Sequence, residues 1–117
     1  MEIKQLKAGE LLILEGDDSF DLYLVKKGHL RAYTYTNENR RPLGDIGPNE
    51  FVGEISFLDR GNRSASVEAI IDSEVLLIPR TGFEEYLNKQ PEWMVLLLKT
   101  LAKRLRHSNE LAKIDSL

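Results

Sequence analysis

Turn-forming residues interrupt the first two-thirds of this chain every few positions, and then they stop. Gly16-Asp17-Asp18, Lys27-Gly28, Thr36-Asn37-Glu38-Asn39, Gly47-Pro48-Asn49 and Asp72-Ser73 each combine residues that tolerate tight backbone geometry. The segments they separate, 11–14, 22–26, 30–36, 66–71 and 74–78, are rich in Val, Ile, Leu and Tyr, and some alternate with polar residues. Such runs are too short for helices and suit a pleated, half-buried surface, which predicts strands. Many short strands at close spacing fold as a roll, sandwich or barrel, so residues 1–80 are expected to form a β-roll.

From residue 81 the pattern changes to helix. Thr81-Gly82-Phe83-Glu84 has the form of a capping box, in which the Thr hydroxyl accepts from a helical amide and the Glu reaches back. It predicts a short helix over 82–88. Pro91 suits the first position of a second helix, where its missing N–H is no loss, and Glu92 complements the positive helix end. That helix is expected to run from 91 to about 114. Met94, Leu98, Leu101, Leu105, Ser108 and Ala112 step along it with heptad spacing. Such a seam either packs on the roll or pairs with a second copy of the chain. Trp93, Val95, Leu96 and Leu97 lie outside it, so two faces are available, and a homodimer through this helix is expected. Lys99, Lys103 and Arg106 form a basic stripe, read here as a solvated face rather than a DNA contact.

Composition removes several function classes. At 117 residues the chain fits one domain with one core. With no cysteine it can hold no disulfide, thiolate metal site or cysteine nucleophile. A net charge of −3 argues against a nucleic-acid clamp, which needs clustered Lys and Arg facing phosphates. Apolar runs such as 94–98 fall far short of the roughly 18 residues a spanning helix needs, and no charged-then-apolar stretch opens the sequence. A cytoplasmic protein without membrane attachment is expected. Neither Asp17-Asp18 nor Glu84-Glu85 reads as more than turn and helix-surface acids, so no catalytic constellation is expected.

The segment 51–67, Phe-Val-Gly-Glu-Ile-Ser-Phe-Leu-Asp-Arg-Gly-Asn-Arg-Ser-Ala-Ser-Val, carries the chemistry. A glycine opens a short apolar helical turn, and Arg-Ser-Ala begins the strand that follows. Amides at the start of a helical turn favour an anion, and an arginine can clamp two phosphate oxygens with its planar fork. Phe51, Gly53, Glu54, Ile55, Ser56, Arg63, Ser64, Ala65 and Val67 resemble, in type and order, the phosphate-binding cassette of the cyclic nucleotide-binding domain family. The resemblance continues through Ala8-Gly9-Glu10, Glu15-Gly16-Asp17, Leu22-Tyr23-Leu24-Val25 and Gly28, and so spans nearly the whole chain.

This resemblance implies a mainly β jelly roll, the double-stranded β-helix, followed by a short helix and a long dimerisation helix. It implies Arg63 as partner of a cyclic phosphate and Glu54 as acceptor for the ribose 2′-hydroxyl. Gly53 and Ala65 would add backbone amides and Ser64 a hydroxyl, with Ile55 and Ser56 beside them. The long helix is similar to that of Crp/Fnr-type bacterial transcription regulators, Ala102-Lys103-Arg104-Leu105 matching a run in that family. That likeness implies cAMP, with cGMP also possible, read by Ser108 and Asn109, one from each subunit, and Arg104 near Glu54 and the phosphate. Those regulators continue into a DNA-binding domain, and this sequence stops at Leu117. It is therefore expected to be a sensor half, with DNA reached only through a downstream domain. A regulatory domain of a kinase or channel, or a relative that no longer binds nucleotide, is an alternative. A cupin-like metalloenzyme is a third reading, but His29 and His107 are the only histidines, and no metal or cofactor is expected.

Overall fold

The computed structural model describes residues 1–115; Ser116 and Leu117 lie outside the described residues. In chain order the elements are β1 (Glu2–Leu6), β2 (Leu11–Ile13), β3 (Leu22–Lys27), β4 (Leu30–Thr36), β5 (Asn39–Ile46), β6 (Phe51–Val52), α1 (Glu54–Asp59), β7 (Ser66–Ala69), β8 (Ser73–Ile78), α2 (Phe83–Asn88) and α3 (Glu92–Asp115). The strands form two four-stranded antiparallel sheets, ordered β1-β8-β3-β6 and β2-β7-β4-β5. This is the expected jelly roll followed by a short and a long helix.

Apolar residues from both sheets meet between them. Leu6, Val25, Leu30 and Val75 are almost fully enclosed, joined by Ile13, Tyr23, Val52, Val67 and Ala69. Alternation makes this possible, since Tyr23 and Val25 point inward from β3 while Leu22 and Leu24 are less buried. Gly28 sits in the turn between β3 and β4 with φ +106°, and a Cβ there would lie 2.0 Å from Ser73 Oγ. Only glycine fits that turn.

The structure adds three strands to the five predicted. β5 carries Pro42 and Gly44 and is largely exposed, so its sequence lacks a strand signature. It pairs only with β4, at the sheet edge, and the register shifts opposite Ala32 and Tyr33, where a proline is tolerated. Asn37 and Glu38 both have positive φ and close the β4–β5 hairpin, the geometry of a two-residue turn that follows the twist of the strands. β1, with only Leu6 buried, and β6, two residues long, present too little pattern to read.

Both C-terminal helices form close to their expected bounds, but the capping box does not. Gly82 caps α2 in the left-handed conformation without a side-chain hydrogen bond. Glu84 instead accepts from Arg80, whose buried guanidinium also donates to the Phe57 carbonyl of α1 and lies 4.9 Å from the Phe83 ring centre. A nearby buried cation is a stronger partner for the carboxylate than one backbone amide. That ion pair holds the Glu84 carboxyl below its usual range.

Candidate functional site

The segment 51–65 curls into a cradle. β6 leads to Gly53, whose φ of +84° turns the chain into α1. A Cβ on Gly53 would lie 2.7 Å from Arg63 Nη1 and 3.1 Å from the Asp21 carbonyl, so this glycine is required both for its backbone angle and for the closeness of Arg63. The left-handed Arg60 ends α1, and the loop 60–62 brings the chain to Arg63 at the foot of β7.

Arg63 is 4% exposed. Its Nε donates to Ser19 Oγ at 3.0 Å, Nη1 to the Gly53 carbonyl at 2.9 Å and Nη2 to the Asp21 carbonyl at 2.7 Å. The backbone is fixed as well, with Arg63 N donating to the Asp17 carbonyl and Gly16 N donating to the Arg63 carbonyl, both at 2.8 Å. All three side-chain partners are neutral. A guanidinium has five N–H donors, so two remain, one on each terminal nitrogen. Burial pushes the Arg63 pKa down, against the raising influence of Tyr23, Asp21, Glu54 and Asp17. A buried cation bonded only to neutral acceptors is a favourable place for an anion.

An open cavity of about 200 Å³ lies over this cradle. Gly53, Glu54, Ile55, Ser56, Arg63, Ser64 and Ala65 all line it, and so does Asn109 from α3. Ile13, Ala32, Phe51 and residues 43–46 are also part of the wall. Glu54 makes no hydrogen bond or ion pair among the described residues, which leaves its carboxylate available as an acceptor. Asn109 Nδ2 donates to Ser64 Oγ at 2.9 Å, linking α3 to the cradle.

Other expected residues lie off this chain's own cavity. Arg104 and Ser108 are exposed on α3 and do not line the cavity. Arg104 lies five positions from Asn109, which on a helix of 3.6 residues per turn carries it off the docked face. Arg106, taken above for part of a solvated stripe, also meets the cradle. It pairs with Asp59, their side chains 22% and 27% exposed. The heptad seam is split: Met94, Leu98 and Ala112 are half-buried, whereas Leu101, Leu105 and Ser108 are exposed, Leu105 also edging the cavity. The large exposed apolar residues of α3 are Trp93, Leu96, Leu97, Leu101, Leu105 and Leu111.

Ser19, Asp21, Asp59 and Arg106 carried no sequence signal of their roles. Ser19 and Asp21 meet Arg63 across 44 and 42 residues, and Asp21 does so through its backbone carbonyl, which any residue would supply. The histidines serve elsewhere. His29 lies 3.2 Å from Asp45, and His107 is exposed on α3. Among the described residues no group of three His, Cys, Asp or Glu forms, and no helix is long and apolar enough to cross a membrane.

A β-roll whose cavity is built on a glycine-opened helical turn and a buried arginine defines a ligand-binding module. The chain belongs to the cyclic nucleotide-binding domain family, whose model matches residues 3–90. Lysophospholipase NTE1 of Cryptococcus neoformans is 38% identical over 108 residues, covering 92% of this chain and 7% of that protein. The chain therefore spans a small part of the curated relatives it matches. Among solved structures, the cAMP-bound EAL enzyme Bd1971 superposes with a TM-score of 0.87 at 28% identity, covering 97% of this chain and 30% of that one. The catabolite activator protein of Thermus thermophilus gives 0.74 at 33% identity, covering 98% of this chain and 55% of that one.

Proposed function

We propose that this chain is a non-catalytic sensor module that binds cAMP in the cavity over Arg63 and passes the binding event to a partner domain through α3. The observation that carries the reading is Arg63 itself, buried yet bonded only to neutral oxygens, with two N–H groups left for a cyclic phosphate. Gly53, Ser64 and Ala65 border the same space and would add hydrogen bonds, and Ile55 and Ser56 back it. Glu54, unpaired at the wall, suits a ribose hydroxyl. Asn109 reaches the cavity from α3 and would read the base, with Ser108 contributing from a second copy.

Relatives support the ligand class and keep two purines in view, since EAL enzyme Bd1971 has both a cAMP-bound and a cGMP-bound structure. The exposed Leu97, Leu101 and Leu105 on α3 support a homodimer. Likeness to the catabolite activator over nearly the whole chain supports the effector-binding half of a cytoplasmic transcription regulator, with DNA contacted by another domain. A second reading, a regulatory segment of a larger enzyme, is favoured by the 38% identity to lysophospholipase NTE1.

Calorimetric titration with cAMP and with cGMP tests the site. Arg63→Ala should weaken binding by about 2–5 kcal/mol, because it removes one partner of a desolvated charge pair. Heat with neither nucleotide, or equal affinity in the variant, refutes the proposal.

A further inference from the structure

Three side chains on one face of α3, at positions 106, 109 and 113, reach the segments around Arg63. Arg106 makes the densest of these contacts. Its Nε donates to Asp59 Oδ2 at 2.7 Å and its Nη2 to Asp59 Oδ1 at 2.8 Å, a bidentate pair. Its Nη1 donates to the Asn62 carbonyl at 2.7 Å. Asp59 is the last residue of α1, and Asn62 immediately precedes Arg63. One guanidinium therefore grips both ends of the loop that joins α1 to the arginine of the cradle.

That loop needs holding. Arg60 has φ +59°, a conformation that non-glycine residues adopt only when their surroundings impose it. Gly61 follows, and its N–H donates to Asp59 Oδ1 at 2.7 Å, so the same carboxylate orders the inside of the loop. Gly61 also leaves room for the clamp, since a Cβ there would stand 2.6 Å from Arg106 Nη2 and 2.9 Å from its Cζ. Burial pushes the Asp59 carboxyl up, but its bonds from Arg106 and Gly61 outweigh this and hold it below the usual range. Arg106 does not line the cavity over the cradle. It lines a second cavity of about 210 Å³ with Arg63, Ser64, Asn109 and Lys113, and bears on a ligand in the first through the loop.

We propose that Arg106 is the positioning residue through which docking of α3 sets the loop presenting Arg63, so that nucleotide affinity and helix docking rise together. This rests on the nucleotide reading of the cavity. Linkage makes the effect reciprocal: if a docked α3 favours the phosphate-ready loop, a bound phosphate favours the docked helix by the same factor. Arg63 is the contact and Arg106 the device that ties the contact to the helix.

The test titrates cAMP into the wild type, Arg106→Gln, Asp59→Asn, the double variant and Gly61→Ala, with thermal midpoints measured alongside. Arg106→Gln and Asp59→Asn should each weaken binding about tenfold, a common size for coupling between sites. The double variant should be no worse than either single one, because both remove the same interaction. Gly61→Ala, which keeps both partners but crowds the guanidinium and the Asp59 carboxylate, should also weaken binding. Hydrogen exchange in α3 should slow on adding cAMP to the wild type and not to Arg106→Gln. Wild-type affinity in Arg106→Gln and Gly61→Ala, where Arg63→Ala weakens binding, overturns this proposal alone, even if midpoints fall. Absence of binding in the wild type overturns the nucleotide reading and this proposal with it.

Discussion

The β-roll and the long helix α3 are held by opposite kinds of interaction. Inside the roll, Leu6, Val25, Leu30 and Val75 close a core from which water is excluded. Such burial is non-directional and stabilises roughly in proportion to the area removed from water. α3 buries little that is apolar along the cradle, Ala102 being its one fully enclosed residue there. It is fastened by polar side chains: Arg106 to Asp59, Asn109 to Ser64, and Lys113 to Glu15 at 2.7 Å. Thr34 Oγ1 and Tyr35 N also donate to Glu15, so this last contact ties the helix end to β4. A core cannot come apart in steps, but a row of polar contacts can be exchanged for water or ligand one at a time. On the proposed function, the contrast suits the roll to be a fixed frame and α3 to be the part that responds.

The sharpest way to break this comparison is to damage each region in turn. Leu30 is 0% exposed, and Leu30→Ala should cost about 2–5 kcal/mol in urea unfolding, from lost burial plus the cavity left behind. Leu101 is 44% exposed on α3. Leu101→Glu should leave the roll's stability within about 0.5 kcal/mol, as at most surface positions, while converting a dimer to monomer in sedimentation. A roll destabilised equally by both changes would show that α3 belongs to the core. A wild type that is monomeric at all concentrations would remove the dimer.

A smaller effect comes from acid. Burial pushes the Glu15 carboxyl up, but bonds from Lys113, Thr34 and Tyr35 outweigh it, and Asp59 behaves likewise, so both sit below the usual carboxylate range. A group whose folded pKa is depressed stabilises the fold fully above its unfolded value, about 3.9 for Asp and 4.3 for Glu. That contribution is lost as pH falls toward the folded value. The thermal midpoint should therefore drop on acidification below about pH 4.3. A Glu15→Gln, Asp59→Asn variant should lose less, by on the order of 1 kcal/mol for these partly exposed pairs. Identical acid profiles would mean that these contacts do not hold α3.

The same contrast governs what the sequence revealed. Strands with an apolar period and closing turns were legible, because each signal is local; β5 was not, since an edge strand with Pro42 and a register shift needs no apolar face. The cradle was legible because Gly53, Glu54, Arg63, Ser64 and Ala65 lie within one short stretch that resembles a family's phosphate-binding cassette, and all line the cavity. Its fasteners were hidden by distance along the chain, 47 residues for Asp59 and Arg106 and 98 for Glu15 and Lys113. Charge pairing of that range leaves no spacing to read. The family model itself ends at residue 90, before α3 begins.

The smallest predicted effect concerns a signal that was read and that tertiary structure overrode. Thr81 and Glu84 have the spacing of a capping box, and removing a working Thr cap costs about 0.5–2 kcal/mol. Here Gly82 is the cap residue, Thr81 is exposed, and Glu84 is engaged by Arg80. Thr81→Ala should therefore leave the thermal midpoint nearly unchanged, within about 0.5 kcal/mol. Arg80→Ala should be more damaging, because it orphans the Phe57 carbonyl at the cradle's helix as well as Glu84. If Thr81→Ala instead proves the costlier change, α2 is held by its local cap, and the helical half folds more independently of the roll than Arg80 implies.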